Sequence, residues 1–218
     1  MSNKGNLLAS GQRGENSDIV VWDFNAKRPV YRLSEHDYEV VLLRFSHDDL
    51  LLLSCGNQLD GRLFIWNTGN GHIVSSVQLY PSVLSEAPRC AAWGGFVKDV
   101  KLRPTTNYQF AMSGGRKLVM WQLNPVLGQC TNELVNTGMM VREYTCMTYS
   151  LNNEDFLYAG TTSGDLCGFQ VKNKIFVFSV NLCAQGIKTL RAVTNTQIAV
   201  GGGDGAVVLL STADGKSA

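Results

Sequence analysis

Leu51-Leu-Leu-Ser54, followed after a short gap by Asp60-Gly-Arg-Leu-Phe-Ile-Trp66-Asn67, is the stretch on which the fold turns. An apolar run ends in a small polar residue, an Asp-Gly pair makes a tight turn, and a second apolar run closes on an aromatic. Asp-Gly between two β-prone runs is a hairpin signal. The unit recurs upstream as Leu7-Leu-Ala-Ser-Gly11 with Asp18-Ile-Val-Val-Trp22-Asp23, and downstream as Phe110-Ala-Met-Ser-Gly-Gly115 with Lys117-Leu-Val-Met-Trp121-Gln122. Weaker copies are Leu157-Tyr-Ala-Gly160 with Leu166-Cys-Gly-Phe169, and Ile198-Ala-Val-Gly201 with Ala206-Val-Val-Leu-Leu210.

The closing positions Trp22, Trp66, Trp121, Phe169 and Leu210 follow one another at intervals of 44, 55, 48 and 41 residues. That period is similar to the roughly 40–45 residues of a WD40 repeat, in which four antiparallel strands make one blade of a β-propeller. Each copy has room for two further strands, for example Val40-Val-Leu-Leu-Arg-Phe45 before the second copy and His72-Ile-Val-Ser-Ser-Val-Gln-Leu79 after it. The expected fold class is therefore all-β: a WD40 β-propeller segment spanning residues 1–218, with about four to five four-stranded blades in an incomplete ring. Such rings use about seven units, each burying its faces on its neighbours. The remainder of its own propeller is then an expected partner, and Trp22, Trp66 and Trp121 are each expected to pack on the neighbouring sheet.

Composition agrees with that class. The 218 residues are 44% hydrophobic and 17% charged, with 22 Gly and only 5 Pro, as expected of many short elements joined by tight turns. Lys+Arg 19 against Asp+Glu 18 gives a net charge of +1, so there is no global field to hold nucleic acid or a membrane surface. No apolar run approaches a membrane span. The start carries no export signal, and the six cysteines lack a C-x-x-C pair, which points to a reducing, cytoplasmic setting.

Within the WD40 repeats, Ala9-Ser-Gly-Gln12 leading to Ile19-Val-Val-Trp-Asp23, Leu53-Ser-Cys-Gly-Asn-Gln-Leu-Asp-Gly61, Met120-Trp-Gln-Leu123, and Asp155-Phe-Leu-Tyr-Ala-Gly-Thr-Thr-Ser-Gly-Asp165 resemble the WD-repeat proteins of cilia and flagella. The likeness runs over nearly the whole chain. It implies a two-propeller protein inside the lumen of axonemal doublet microtubules, with tubulin and other axonemal proteins as partners and stabilisation of the wall as the role. Centriolar WD-repeat proteins and the echinoderm-type microtubule-associated proteins share part of the signature, and a generic cytoplasmic WD40 adaptor in a regulatory complex is the alternative.

The WD40 resemblance also implies one buried hydrogen-bonded cluster from a strand Trp, a strand Ser, a turn Asp and a His before the first strand. Here Trp66, Ser54, Asp60 and His36 supply it, the last as Glu35-His36 where the family usually has Gly-His. Ser, His and Asp together could suggest a hydrolase, but no Gly-x-Ser-x-Gly elbow is present, and an indole on the same network fits a structural role. No catalytic residue is assigned, and an enzyme is not expected.

The three histidines, His36, His47 and His72, have no Cys, Asp or Glu beside them at zinc-site spacing, so no metal is expected. Cys55, Cys146, Cys167 and Cys183 fall on expected strands, where a thiol acts as a small apolar filler. Gly201-Gly-Gly-Asp-Gly205 reads as a hairpin. The tail Asp214-Gly-Lys-Ser217 lacks the upstream glycine of a phosphate-binding loop, and no cofactor is assigned.

Two connections read as inserts too long for blade hairpins, 80–97 and 123–143. The first holds Arg89, Trp93 and Phe96, with Lys98 adjoining. Aromatic and cationic groups of this kind make protein contacts, so these four are the contact candidates.

Overall fold

Short apolar runs bounded by Gly, Asp and Asn become strands throughout the computed structural model, which describes residues 1–151 and 155–212. The tail reading at 214–217 lies outside the described residues. Among the described residues there is no helix, hence none long and apolar enough to cross a membrane.

Five antiparallel sheets follow one another along the chain. The first contains β1 (Leu7–Gly11), β2 (Ser17–Asp23) and β3 (Arg28–His36); the second β4 (Val40–Phe45), β5 (Leu51–Gly56), β6 (Arg62–Asn67) and β7 (Ile73–Gln78). The third has β8 (Pro88–Lys98), β9 (Pro104–Gly114), β10 (Lys117–Asn124) and β11 (Gln129–Leu134); the fourth β12 (Tyr144–Tyr149), β13 (Phe156–Thr161), β14 (Asp165–Gln170) and β15 (Ile175–Asn181). The fifth has β16 (Ile187–Thr194), β17 (Gln197–Gly202) and β18 (Val207–Ser211). In each sheet consecutive strands are hydrogen-bonded neighbours, a plain meander.

Burial differs by strand position. The second strand β5, Leu-Leu-Leu-Ser-Cys-Gly, is buried at all six positions because neighbouring elements cover both of its faces. The outer strand β3 is mostly exposed, and its sequence is correspondingly polar. Trp22, Trp66, Trp121, Phe169 and Leu210 lie on β2, β6, β10, β14 and β18, the third strand in the three four-stranded sheets.

The described chain divides into two compact units. Unit one comprises Met1–Pro88, Gly95–Gln109 and Trp121–Thr131; unit two comprises Arg89–Gly94, Phe110–Met120 and the described residues from Asn132 on. The core of unit one packs Ile19, Val21 and Leu33 of the first sheet on Val40, Leu52, Phe64 and Trp66 of the second. Unit two has two cores. One sets Leu118 and Met120 against Tyr144, Leu157 and Phe169; the other sets Tyr158 and Leu166 against Ile187, Leu190 and Val200. Each fully buried side chain of this kind stabilises the fold by about 1.5–3 kcal/mol.

Three expectations are corrected. Residues 80–97 are not one long loop, because 88–98 form β8, the first strand of the third sheet. Ala91-Ala92 and Gly94-Gly95 break its apolar alternation, which is why it does not read as a strand. Residues 123–143 likewise include the end of β10 and all of β11, an almost wholly exposed outer strand with no apolar face to recognise. Cys183 lies between β15 and β16 rather than on a strand, yet it is buried in the second core of unit two.

Candidate functional site

The most ordered polar constellation is built by the end of β3, by β5 and β6, and by the turn between them. Trp66 Nε1 donates to Ser54 Oγ at 2.8 Å, Ser54 Oγ lies 2.8 Å from His36 Nε2, and His36 Nδ1 lies 2.8 Å from Asp60 Oδ2. One proton assignment satisfies all of it: Nδ1–H donates to Asp60, and the Ser54 hydroxyl donates to Nε2 while accepting from the indole. Asp60 Oδ1 also accepts the backbone N–H of Asp37 at 2.8 Å and of Tyr38 at 3.2 Å, and Oδ2 that of Arg62 at 3.2 Å. His36 therefore sits at the end of β3, in the first sheet, and bridges to the second. Phe64 meets the imidazole edge to face at 4.9 Å.

A hydrolytic triad needs an exposed nucleophile and space for a substrate. Ser54 is 0% exposed, and its oxygen is committed on both sides. The arrangement holds two sheets together; it offers no attacking atom to a ligand.

Reduced versions recur. In the first sheet Trp22 Nε1 donates to Ser10 Oγ at 3.0 Å, but this Trp is only half-buried. In the third, Cys90 Sγ and Ser113 Oγ lie 3.1 Å apart. In the fourth, Asp165 accepts from Arg142 Nε at 2.9 Å, Ser163 Oγ at 2.9 Å and Asn181 Nδ2 at 3.1 Å. Burial pushes the Asp165 carboxyl up, but these donors together hold it below its ordinary value. Arg142 is not legible as a site residue in the sequence, because a lone Arg in a connection carries no spacing signal.

The four contact candidates are spread along β8. Arg89 Nη1 donates to Glu143 Oε2 at 2.8 Å, and Trp93 packs on Phe110 with ring centroids 5.0 Å apart. Phe96 lies edge to face on His47 at 4.8 Å and on Tyr108 at 4.9 Å. Lys98 closes the strand. The two aromatics are thus largely engaged inside the sheets. The free thiols are internal too: Cys55 and Cys167 are fully buried, and burial pushes the Cys167 thiol up to about 12.

Comparison with known proteins agrees with this picture. The family described as "WD domain, G-beta repeat" matches residues 27–67, which run from the start of β3 through β6 and contain all four members of the His36 cluster. Cilia- and flagella-associated protein 52 of Chlamydomonas reinhardtii is 26% identical over 216 residues, covering 96% of this chain and 33% of that protein. The Mus musculus protein of the same name is 26% identical over 214 residues, covering 95% of this chain and 33% of that protein. The chain thus spans about a third of the length of these relatives. Among solved structures, the β-propeller domain of Cps50 (Swd1) from Myceliophteria thermophila superposes with a TM-score of 0.73 at 19% identity, covering 100% of this chain and 66% of that one. Residues 27–67 thus match a WD40 repeat, the fold is that of β-propeller domains, and the chain is similar over nearly its whole length to cilia- and flagella-associated protein 52.

Proposed function

We propose that the chain is part of a non-enzymatic scaffold of the ciliary or flagellar axoneme, which binds the microtubule wall and stabilises doublet microtubules, with tubulin and other axonemal proteins as partners. The observation that carries this reading is the similarity to cilia- and flagella-associated protein 52 over 95–96% of the chain. A shared WD40 repeat alone would support protein binding and nothing narrower. The structure is consistent with a binding role: the Ser-His-Asp constellation is buried and internally satisfied, and the sheets form a stiff support for exposed turns.

The test is fractionation of ciliated cells that express the tagged full-length protein. Detergent removes the membrane and the soluble matrix. The scaffold reading expects the tag to remain with the axoneme. Complete release into the detergent-soluble fraction contradicts it and favours the cytoplasmic adaptor.

A further inference from the structure

The turn between β6 and β7 holds Asn70-Gly71, the single Asn-Gly pair in the sequence. Such a pair is a reactive element as well as a turn signal. The backbone nitrogen of the second residue can attack the side-chain carbonyl carbon of the asparagine and close a five-membered ring. Glycine in second place leaves that nitrogen unshielded, because it carries no β-carbon.

The fold sets this pair in a reactive arrangement. Asn70 is exposed, so water and hydroxide reach it. Its Oδ1 accepts the backbone N–H of His72 at 3.0 Å, which folds the carboxamide forward along the Gly71 peptide unit. The same donor polarises the carbonyl and stabilises the negative charge that attack places on Oδ1. Gly71 has φ 73°, and a β-carbon there would lie 2.9 Å from Tyr31 Cδ1, so the position selects glycine. The Gly71 N–H donates to the Asn67 carbonyl at 2.8 Å, and the reaction waits on the opening of that one hydrogen bond.

The corresponding turns of three other sheets are an internal comparison. They also place one residue at positive φ: Lys27 at 53°, Gly128 at 65° and Lys174 at 52°. The residues before these are Ala26, Leu127 and Asn173. Asn173 alone among them has a carboxamide, and it is engaged elsewhere, with Nδ2 donating to Gln170 Oε1 at 2.7 Å. The Lys174 side chain also shields the nitrogen that would attack. Asparagine, glycine and a donor to Oδ1 thus coincide in the second sheet.

That turn also joins two sheets. The Tyr31 hydroxyl, on β3, donates to the Gly69 carbonyl, and the Tyr31 ring lies against Gly71. A change in backbone length between Gly69 and His72 displaces both contacts.

We infer that Asn70 is a site of spontaneous deamidation in the folded chain, and that its isoaspartyl product loosens the tie between the first and second sheets. Gly71 N gives its proton to hydroxide and bonds to Asn70 Cγ. Nδ2 leaves as ammonia, taking a proton from water, and a cyclic imide remains. Water then opens the ring: breaking the bond from Gly71 N to Cγ gives aspartate, and breaking the bond from Gly71 N to the main-chain carbonyl carbon gives isoaspartate. Water is consumed and ammonia released, with no oxidant or reductant. Both products add one negative charge. Isoaspartate also routes the backbone through Cβ, which lengthens the turn and unseats Gly71 from Asn67 and Tyr31. The inference does not depend on the ciliary assignment.

The test is incubation of the folded full chain at mildly alkaline pH, followed by peptide mapping with mass spectrometry and isoaspartate-specific methyl labelling. Asn70 is expected to convert about tenfold or more ahead of Asn173, to give both products, and to react faster as pH rises. Asn70→Gln is expected to remove the label at this turn, because the longer side chain must close a six-membered ring. Ion exchange separates the aged forms by charge. The isoaspartyl form is expected to melt below the wild type. Asn70→Asp, which keeps the backbone and an Oδ1 acceptor for His72, is expected to melt with it. Asn70 left intact while Asn173 converts overturns the inference, as does conversion of Asn70 in urea alone, which would show that the folded turn shields it. An isoaspartyl form that melts with the wild type overturns the loosening of the tie.

Discussion

Gly160 and Ile187 touch so closely that a β-carbon on the glycine would lie 2.5 Å from Ile187 Cγ2 and 2.9 Å from Cys146 Sγ. Gly160 is near the end of β13, and Ile187 opens β16 of the next sheet. Gly11, at the end of β1, stands in the same relation to Val40, the first residue of β4, at 2.7 Å. In these two repeats the small residue at the strand end is thus the seat for the first side chain of the following sheet.

Gly160→Ala should therefore overpack the contact between the fourth and fifth sheets and destabilise unit two by about 1–3 kcal/mol. Urea denaturation measures this. Adding Ile187→Ala, which removes the Cγ2 that the new methyl meets, should recover part of the loss, so the pair costs less than the sum of the two single variants. Additive losses in the double variant would contradict the contact.

Ser54→Ala removes the shared partner of Trp66 Nε1 and His36 Nε2 and leaves buried polar groups unmet, at a cost of about 1–3 kcal/mol. Trp66→Ala should cost more, about 3–5 kcal/mol, because it also empties the core of unit one. Both variants, where folded, should bind any partner as the wild type does. A drop in partner affinity at full folding would give the cluster a direct role in recognition.

The buried thiols predict an alkaline limit. Cys167 ionises at about 12 in the folded chain against an ordinary value of 9.0, chiefly because burial penalises the thiolate. Below pH 9 both states hold the proton and the stabilisation is complete. Between 9 and 12 the unfolded chain loses its proton while the folded chain keeps it, so stability falls as pH rises. Cys55 shifts in the same direction for the same main reason. Urea midpoints should decline from pH 8.5 to 10.5, and less steeply in Cys167→Ala. Identical slopes would show that Cys167 does not set the alkaline limit.

Much of the fold is legible in the sequence because middle strands such as β5, β6, β13 and β14 are buried on both faces through most of their length. Val40–Phe45 emerges with the bounds expected from its apolar run, and the aromatic positions lie on corresponding strands of their sheets. The outer strand β11 is illegible for the opposite reason: a strand exposed at nearly every position needs no apolar pattern. β8 escapes because its small residues serve close packing rather than alternation. The four members of the His36 cluster can be selected from spacing and resemblance, but that His36 belongs to the preceding sheet is a fact of packing.

Binding of the proposed scaffold to the axonemal wall is tested by co-sedimentation of the purified full-length protein with stripped doublet microtubules at physiological ionic strength. Saturable pelleting with a Kd of about 1 μM or tighter is expected, retained in folded Ser54→Ala. Protein that stays in the supernatant at every doublet concentration, while melting cooperatively as a folded chain, would contradict it.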